Sequence, residues 1–503
     1  MKKQIRYIII AGIILAVLIG ALVFLLTMPN KEEENTSTSS DTTKTLIEQS
    51  TNNIERIEVD NSGGKYTLMG YGVKVESTVE SSGETSTVTT TEMIFTMQNY
   101  DKYTIDADKA NSLAYDCANL VASKTVNTNN NPDSDYGLDK PRATVTVGFS
   151  DGSEKTIKVG NEVPGGESAY VRMGDSDKIY VVALDSINSM LVEKLQMFDK
   201  TIFSSLNDDE TLDLISISGS GRKSALKFER NSFSDISEYY MFSPMSTACD
   251  TDKIESLRDS TLFPLVADSV AAVDVKESEL NKYNLDKPYY VLEAKTSMHS
   301  YKLLVSKPDK DKNCYIMLDG ENIVYKVENS VIDFMSSDGS DLISKTIFSP
   351  NELKIDLAVI SYGKIKDTYK LTHTVKKNNN GVDVTITEVK RENESVKADL
   401  LAKFMKNLSV LERTEKIPKY DEKSTPILSV SVTYTDDTTD TLEIYNGDKK
   451  AIVVLNGKAV GTTELETAEK LTNCAKSLAT GSDFDSLVKD ESETSDSSSK
   501  AAA

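Results

Sequence analysis

The chain has 503 residues, 39% of them hydrophobic and 27% charged, with a formal net charge of −22. A length of this order holds roughly three domains of ~100–200 residues, and the composition is that of a folded globular protein. The acidity argues against a nucleic-acid partner, which would need clustered Lys and Arg against phosphate, and two histidines, His299 and His373, are too few for a His-rich metal centre.

Residues 1–6 carry Lys2, Lys3 and Arg6, and the run 7–28 carries no charge at all. At ~1.5 Å rise per residue a helix over 7–28 would be about 33 Å long, enough to cross a hydrocarbon core of ~30 Å. The basic flank places 1–6 in the cytoplasm and the rest of the chain outside the cell membrane as an extracytoplasmic, single-pass protein. No small-x-small site follows the apolar run, which favours an uncleaved anchor over a signal peptide. Residues 29–52 are rich in Ser, Thr and Glu and read as a flexible tether, as does the acidic, Ser-rich tail 482–503. The four cysteines, Cys117, Cys249, Cys314 and Cys474, form no C-x-x-C pair. Export would permit disulfides, and the sequence chooses none of the three possible pairings.

Between the tails lies an internal repeat. Tyr136, Leu138, Asp139, Lys140 and Pro141 recur as Tyr283, Leu285, Asp286, Lys287 and Pro288. Lys200, Thr201, Ile202 and Phe203 recur as Lys345, Thr346, Ile347 and Phe348, and Tyr180 falls on Tyr325 at the same spacing. A third copy aligns Val145 with Val430, Val147 with Val432, Phe149 with Tyr434, Asp151 with Asp436 and Ile157 with Leu442. Both of the last segments alternate apolar and polar residues about an Asp-Gly or Asp-Asp turn, the pattern of a hairpin with one buried face. A period of roughly 145 residues therefore gives three modules, over 53–203, 204–348 and 349–481. Each reads as a strand pair, a helix, a four-strand meander and a closing helix. In the third module's first helix Leu400, Leu401, Phe404, Leu408 and Leu411 make one stripe. The expected class is α+β with mostly antiparallel sheet, behind one N-terminal transmembrane helix.

The apolar amino-terminal run followed by Ile54-Glu55-Arg56-Ile57-Glu58-Val59, the Tyr136–Pro141 motif with its following strands, and the Lys200–Phe203 segment resemble the bacterial family named domain of unknown function 4340. That resemblance implies an exported, membrane-anchored protein, often associated with ABC transporters of the gliding-motility or auxiliary kind. The family has no established catalytic motif to carry over.

Sites with chemistry were sought residue by residue. Asp139-Lys140-Pro141 reads as a turn ahead of a strand, since proline fixes φ and the Asp side chain accepts from nearby backbone. Gly219-Ser220-Gly221-Arg222-Lys223-Ser224 lacks the phosphate-loop spacing and joins two strands. Asp309-Lys310-Asp311-Lys312-Asn313 lacks the Gly and Glu of a calcium loop. Ser220 with Lys223, and Ser361 with Lys364, have Ser-Lys dyad spacing but lie in turn-like sequence. No catalytic, cofactor or metal residue is assigned. The leading expectation is a non-catalytic scaffold, or an accessory of a membrane transporter such as an ABC permease. The alternatives are a surface module binding glycans or peptides, for which Tyr239, Tyr240, Tyr289 and Tyr290 are the candidate platform, and an envelope hydrolase.

Overall fold

The computed structural model describes residues 43–81, 84–127, 131–378, 380–414 and 423–488. The expected membrane helix over 7–28 lies outside these residues, and among the described residues no helix is long and apolar enough to cross a membrane.

Strand alternation dominates the chain, and the strands pair antiparallel throughout. In the first module β1 (Lys44–Glu48) precedes β2 (Ile54–Asn61), β3 (Gly64–Ser81) and β4 (Glu84–Met97). Helix α1 (Ala107–Ala118) follows, then β5 (Asn119–Ala122) and β6 (Lys124–Val126), then the meander β7 (Ala143–Phe149), β8 (Glu154–Glu162), β9 (Ser168–Met173) and β10 (Ile179–Ala183). The second module has β11 (Thr201–Phe203), β12 (Leu212–Ser218), β13 (Leu226–Arg230), β14 (Tyr239–Ser243), β15 (Thr247–Ala248) and α2 (Thr251–Leu257). It continues with β16 (Leu265–Val266), β17 (Ser269–Val273), β18 (Tyr290–Thr296), β19 (Ser300–Val305), β20 (Asn313–Leu318) and β21 (Ile323–Glu328). The third module has β22 (Ile355–Tyr362), β23 (Ile365–Lys377), β24 (Asp383–Arg391), β25 (Glu394–Val396) and α3 (Ala398–Asn407). Its meander is β26 (Leu428–Tyr434), β27 (Thr439–Tyr445), β28 (Lys450–Leu455) and β29 (Lys458–Glu464), closed by α4 (Leu465–Thr480).

Three large sheets share one plan. Their orders are β4-β3-β2-β7-β8-β9-β10-β6, β15-β14-β13-β12-β18-β19-β20-β21-β17 and β25-β24-β23-β22-β26-β27-β28-β29. The hairpin alignment of the first and third copies holds in register: Val145 faces Ile157, and Val430 faces Leu442. The two turns also match, with Asp151 accepting from Ser153 N and Asp436 from Thr438 N.

The expectation of an α+β class is corrected, because the described residues are 45% strand, nearly all in antiparallel sheets, and 22% helix. Much of that helix is short 3₁₀ turn. The closing helix expected after β10 is three such turns, Leu184–Ser186, Asn188–Leu191 and Lys194–Met197. Leu184, Ile187 and Met190 recur every third residue, which suits three residues per turn rather than 3.6. After β21 the same holds, with Ile332 and Met335 buried from the 3₁₀ turn Asn329–Ser336. Only the third module closes on a long α-helix, α4, where Ala468, Leu471, Cys474, Ala475 and Leu478 supply a true helical stripe. The five leucine and phenylalanine positions of the expected stripe are all buried, but only Leu400, Leu401 and Phe404 lie on α3; Leu408 is in the 3₁₀ turn that follows and Leu411 is just beyond it.

Two stretches expected to be flexible carry structure. The tether's last residues form β1, paired with β5, and Ile47 is buried there. Part of the expected tail, 482–488, folds back on α3. The fully buried Asn407 donates to Asp485 O and accepts from Leu487 N, and Lys403 pairs with Asp483.

Candidate functional site

The repeated residues separate into two structural devices. The first is a turn. Tyr136 ends the 3₁₀ turn Asp133–Tyr136, Gly137 takes a left-handed φ of 69°, and Leu138 turns inward. Tyr136 packs edge-on against Tyr170 with ring centroids 5.0 Å apart, and Arg172 forks onto Asp133 at 2.5 and 2.6 Å. In the second module Tyr283 meets Tyr315 edge-on at 5.3 Å, Asn284 takes φ 56°, and Leu285 is buried. Asp139, Lys140, Asp286 and Lys287 are exposed, and Pro141 and Pro288 are half-buried ahead of the strands. The motif thus anchors the meander through Tyr and Leu. Position 137 needs glycine where position 284 accepts Asn, because a Cβ at 137 would sit 2.3 Å from Asn161 Oδ1. Gly137→Ala should cost roughly 1–2 kcal/mol, from positive φ plus the clash, while Asn284→Gly should cost a few tenths. Urea midpoints of the two variants check this, and equal shifts would contradict it.

The second device is the linking strand. Lys200–Phe203, which ends the first module in the sequence reading, pairs forward as β11 with β16 inside the second: Thr201 faces Val266 and Phe203 faces Leu265. Lys345–Phe348 does the same in the third, where Thr346 bridges Glu412 and Ile347 N donates to Leu411 O. The match extends to a first copy that the sequence reading missed. Lys44-Thr45-Leu46-Ile47 in β1 pairs with β5, Thr45 facing Val121 and Ile47 facing Leu120. Each module therefore opens on a Lys-Thr strand that clips onto the segment after its own helix. In the third clip the close crossing needs Gly461, whose Cβ would lie 2.6 Å from Glu412 O and 2.8 Å from Ile347 Cδ1.

Polar groups concentrate where modules meet. At the first junction Tyr103 OH donates to Asp274 Oδ1 and accepts from Asp274 N, both at 3.0 Å, and Lys102 lies 2.8 Å from the same carboxylate. The Lys102 ammonium holds the Asp274 carboxyl below its usual range. Beside them a cavity of about 330 Å³ is lined by Asp199, Glu321 and Tyr325, where burial pushes the Glu321 carboxyl up. At the second junction the buried Asp440 accepts from Tyr240 OH across the boundary, from Tyr434 OH at 3.1 Å and from Asn456 Nδ2 at 2.8 Å. Burial first, then the adjacent carboxylate, pushes both phenols up, so they remain donors. Phe233 stacks on Tyr434 at 4.3 Å, and Arg413 donates to Ser344 O and Thr247 Oγ1.

The remaining sequence candidates resolve as structure. Gly221 lies against Tyr289 and Tyr290, and Arg222 of the same turn donates to Met335 O and Ser337 O. The Asp309 carboxylate accepts from Asp311 N and Asn313 N within its own turn. Tyr239, Tyr240 and Tyr290 are buried and Tyr289 half-buried, so they offer no exposed stacking platform. All four cysteines are buried and unpaired, and burial pushes the Cys314 thiol up to about 11 and the Cys249 thiol to about 12. His373 is held by Ile355 O and Thr387 Oγ1. His299 Nδ1 and Thr296 Oγ1 both meet Glu210, an arrangement in which the hydroxyl donates to the carboxylate rather than to the imidazole. Those contacts, Thr296 first, hold the Glu210 carboxyl below its usual range. The stability they give is present above the unfolded carboxyl value of ~4.3 and is lost as pH falls through the lower folded value. Glu210→Gln should flatten the acid limb of a stability-against-pH curve, and an unchanged limb would contradict the assignment.

Serial antiparallel sheets, clipped strand to module and joined by polar contacts, define a tandem-repeat β protein. The chain belongs to the family described as domain of unknown function (DUF4340), whose model matches residues 96–288 and 240–430. The two matches begin one repeat length apart and cut across the module boundaries seen in the fold. No curated protein and no solved structure matches the chain.

Proposed function

We propose that this protein is a non-catalytic, membrane-anchored, extracytoplasmic scaffold or accessory partner of an envelope transporter of the ABC type. The observation that carries the reading is the way the modules are joined. One apolar cluster runs through the first and second modules, and a second cluster takes Phe233 and Tyr240 of the second module into the third. Clipped strands and the buried Asp440 contacts make that array a stiff body suited to holding partners at fixed spacing. At the second junction the polar groups of Tyr240, Tyr434, Asn456 and Asp440 bond to each other rather than converging on an open site. The uncharged run 7–28 and its basic flank support the anchor and the outward orientation, and the family resemblance supplies the transporter.

Purification of the full chain in mild detergent tests the reading. A transporter permease, or another polytopic envelope protein, should co-elute in fixed proportion. Elution of the chain alone would overturn the accessory role.

A further inference from the structure

The three sheets differ at both edges: β6 and β17 add beyond the meander in the first and second where β29 ends the third, and the opposite edges differ as well. In the second and third modules the strand before the helix, β15 or β25, pairs with the outer edge of the third strand, β14 or β24. In the first module no strand among the described residues pairs with the outer edge of β4, which ends its sheet. The segment before α1 turns away instead. Gln98 N donates to Thr67 O, and Tyr103 is drawn into the junction with the second module.

Beside β4 lies a groove of about 880 Å³, bounded by β4, α1, Thr51, Asn52 and Asp185. Met93, Phe95 and Tyr115 give it apolar surface, and Tyr115 is 61% exposed. Its rim carries Glu92, Asp108, Asp116 and Asp185. None of these four forms an ion pair among the described residues, although Asp106 beside them does, with Lys109. Asp116 accepts from Ser189 Oγ at 2.5 Å and, half-buried, faces the like charge of Asp185.

We infer that the first module is completed by a partner: an extended polypeptide segment carrying Lys or Arg adds to the edge of β4 that no described strand pairs, with its cations directed into the groove against the carboxylates there. Main-chain pairing supplies the affinity and the alternate side chains the selectivity. The two internal copies supply the precedent, since the same edge accepts a short strand from within the chain in both. The inference rests on the contact reading above but not on the transporter as the partner.

The test uses the full chain in detergent and two short synthetic peptides, one alternating Lys with Val or Thr, the other carrying Glu for Lys. The lysine peptide should bind at least about tenfold more tightly, weaken as salt rises, and slow amide exchange in 91–97. In E92K/D185K, which alters two exposed side chains, the preference should reverse. Equal binding of the two peptides, protection elsewhere such as at β29, or an unchanged preference in the variant would overturn the inference. None of these outcomes alters the co-purification result, so the two readings fail separately.

Discussion

Phe203→Ala should destabilise the protein by about 3–5 kcal/mol, the usual cost of emptying a buried aromatic site, and the loss should fall on the second module. Phe203 is 2% exposed. Its ring lies 5.2 Å from Phe263 and 4.9 Å from Tyr301, both second-module residues, and its backbone pairs with Leu265. Truncation removes the apolar end of the linking strand and leaves a cavity beside Phe263 and Tyr301. Hydrogen exchange of the full chain reads the result. Amides of β18–β21 should lose protection well before those of β7–β10. Equal loss in both meanders would mean that Lys200–Phe203 closes the first module rather than opening the second.

Asp440→Ala should cost about 3 kcal/mol and loosen the third module from the second. The carboxylate is 5% exposed and is the shared acceptor for Tyr240, Tyr434 and Asn456. Removing it strands the two buried phenol donors of Tyr240 and Tyr434, each worth roughly 1–3 kcal/mol when left unsatisfied, with incomplete additivity, while the amide of the exposed Asn456 turns to solvent and Ser246 O. Tyr240→Phe is the matched control. It deletes one bond and leaves Asp440 with two donors, so its cost should be about 1 kcal/mol. Denaturant unfolding should split into two transitions in Asp440→Ala and remain closer to one in Tyr240→Phe. A loss for Asp440→Ala no greater than that of the control would mean that the junction is held by apolar packing alone.

The repeat was legible in the sequence because hairpin register writes itself into alternation. Val145 and Ile157 are cross-strand partners, as are Val430 and Leu442, and each pair aligns without a gap. The Tyr-x-Leu turn was legible for a similar reason, since its chemistry is local. The first Lys-Thr strand was hidden because Lys44–Glu48 adjoins a polar run, and only pairing with β5, some seventy residues on, gives it a buried face. The closing helices failed on period. Apolar residues three apart in 184–190 satisfy a 3₁₀ turn as well as a helix face, and the packing against the sheet decided the matter. The Asp440 contacts could not be read at all, because Tyr240 lies two hundred residues away and Asp440 falls at a position where the aligned first copy has Lys155. The edge of β4 that no described strand pairs becomes visible only once three sheets can be compared strand by strand.

Site-specific photo-crosslinking of the full chain in intact membranes tests the central claim most directly, with the probe placed in turn at exposed positions on β4 and α1. A protein built to work by contact should yield a discrete crosslink to one envelope partner from positions facing the groove, weakened by E92K/D185K. Crosslinks confined to lipid, or absent from every position, would contradict the account.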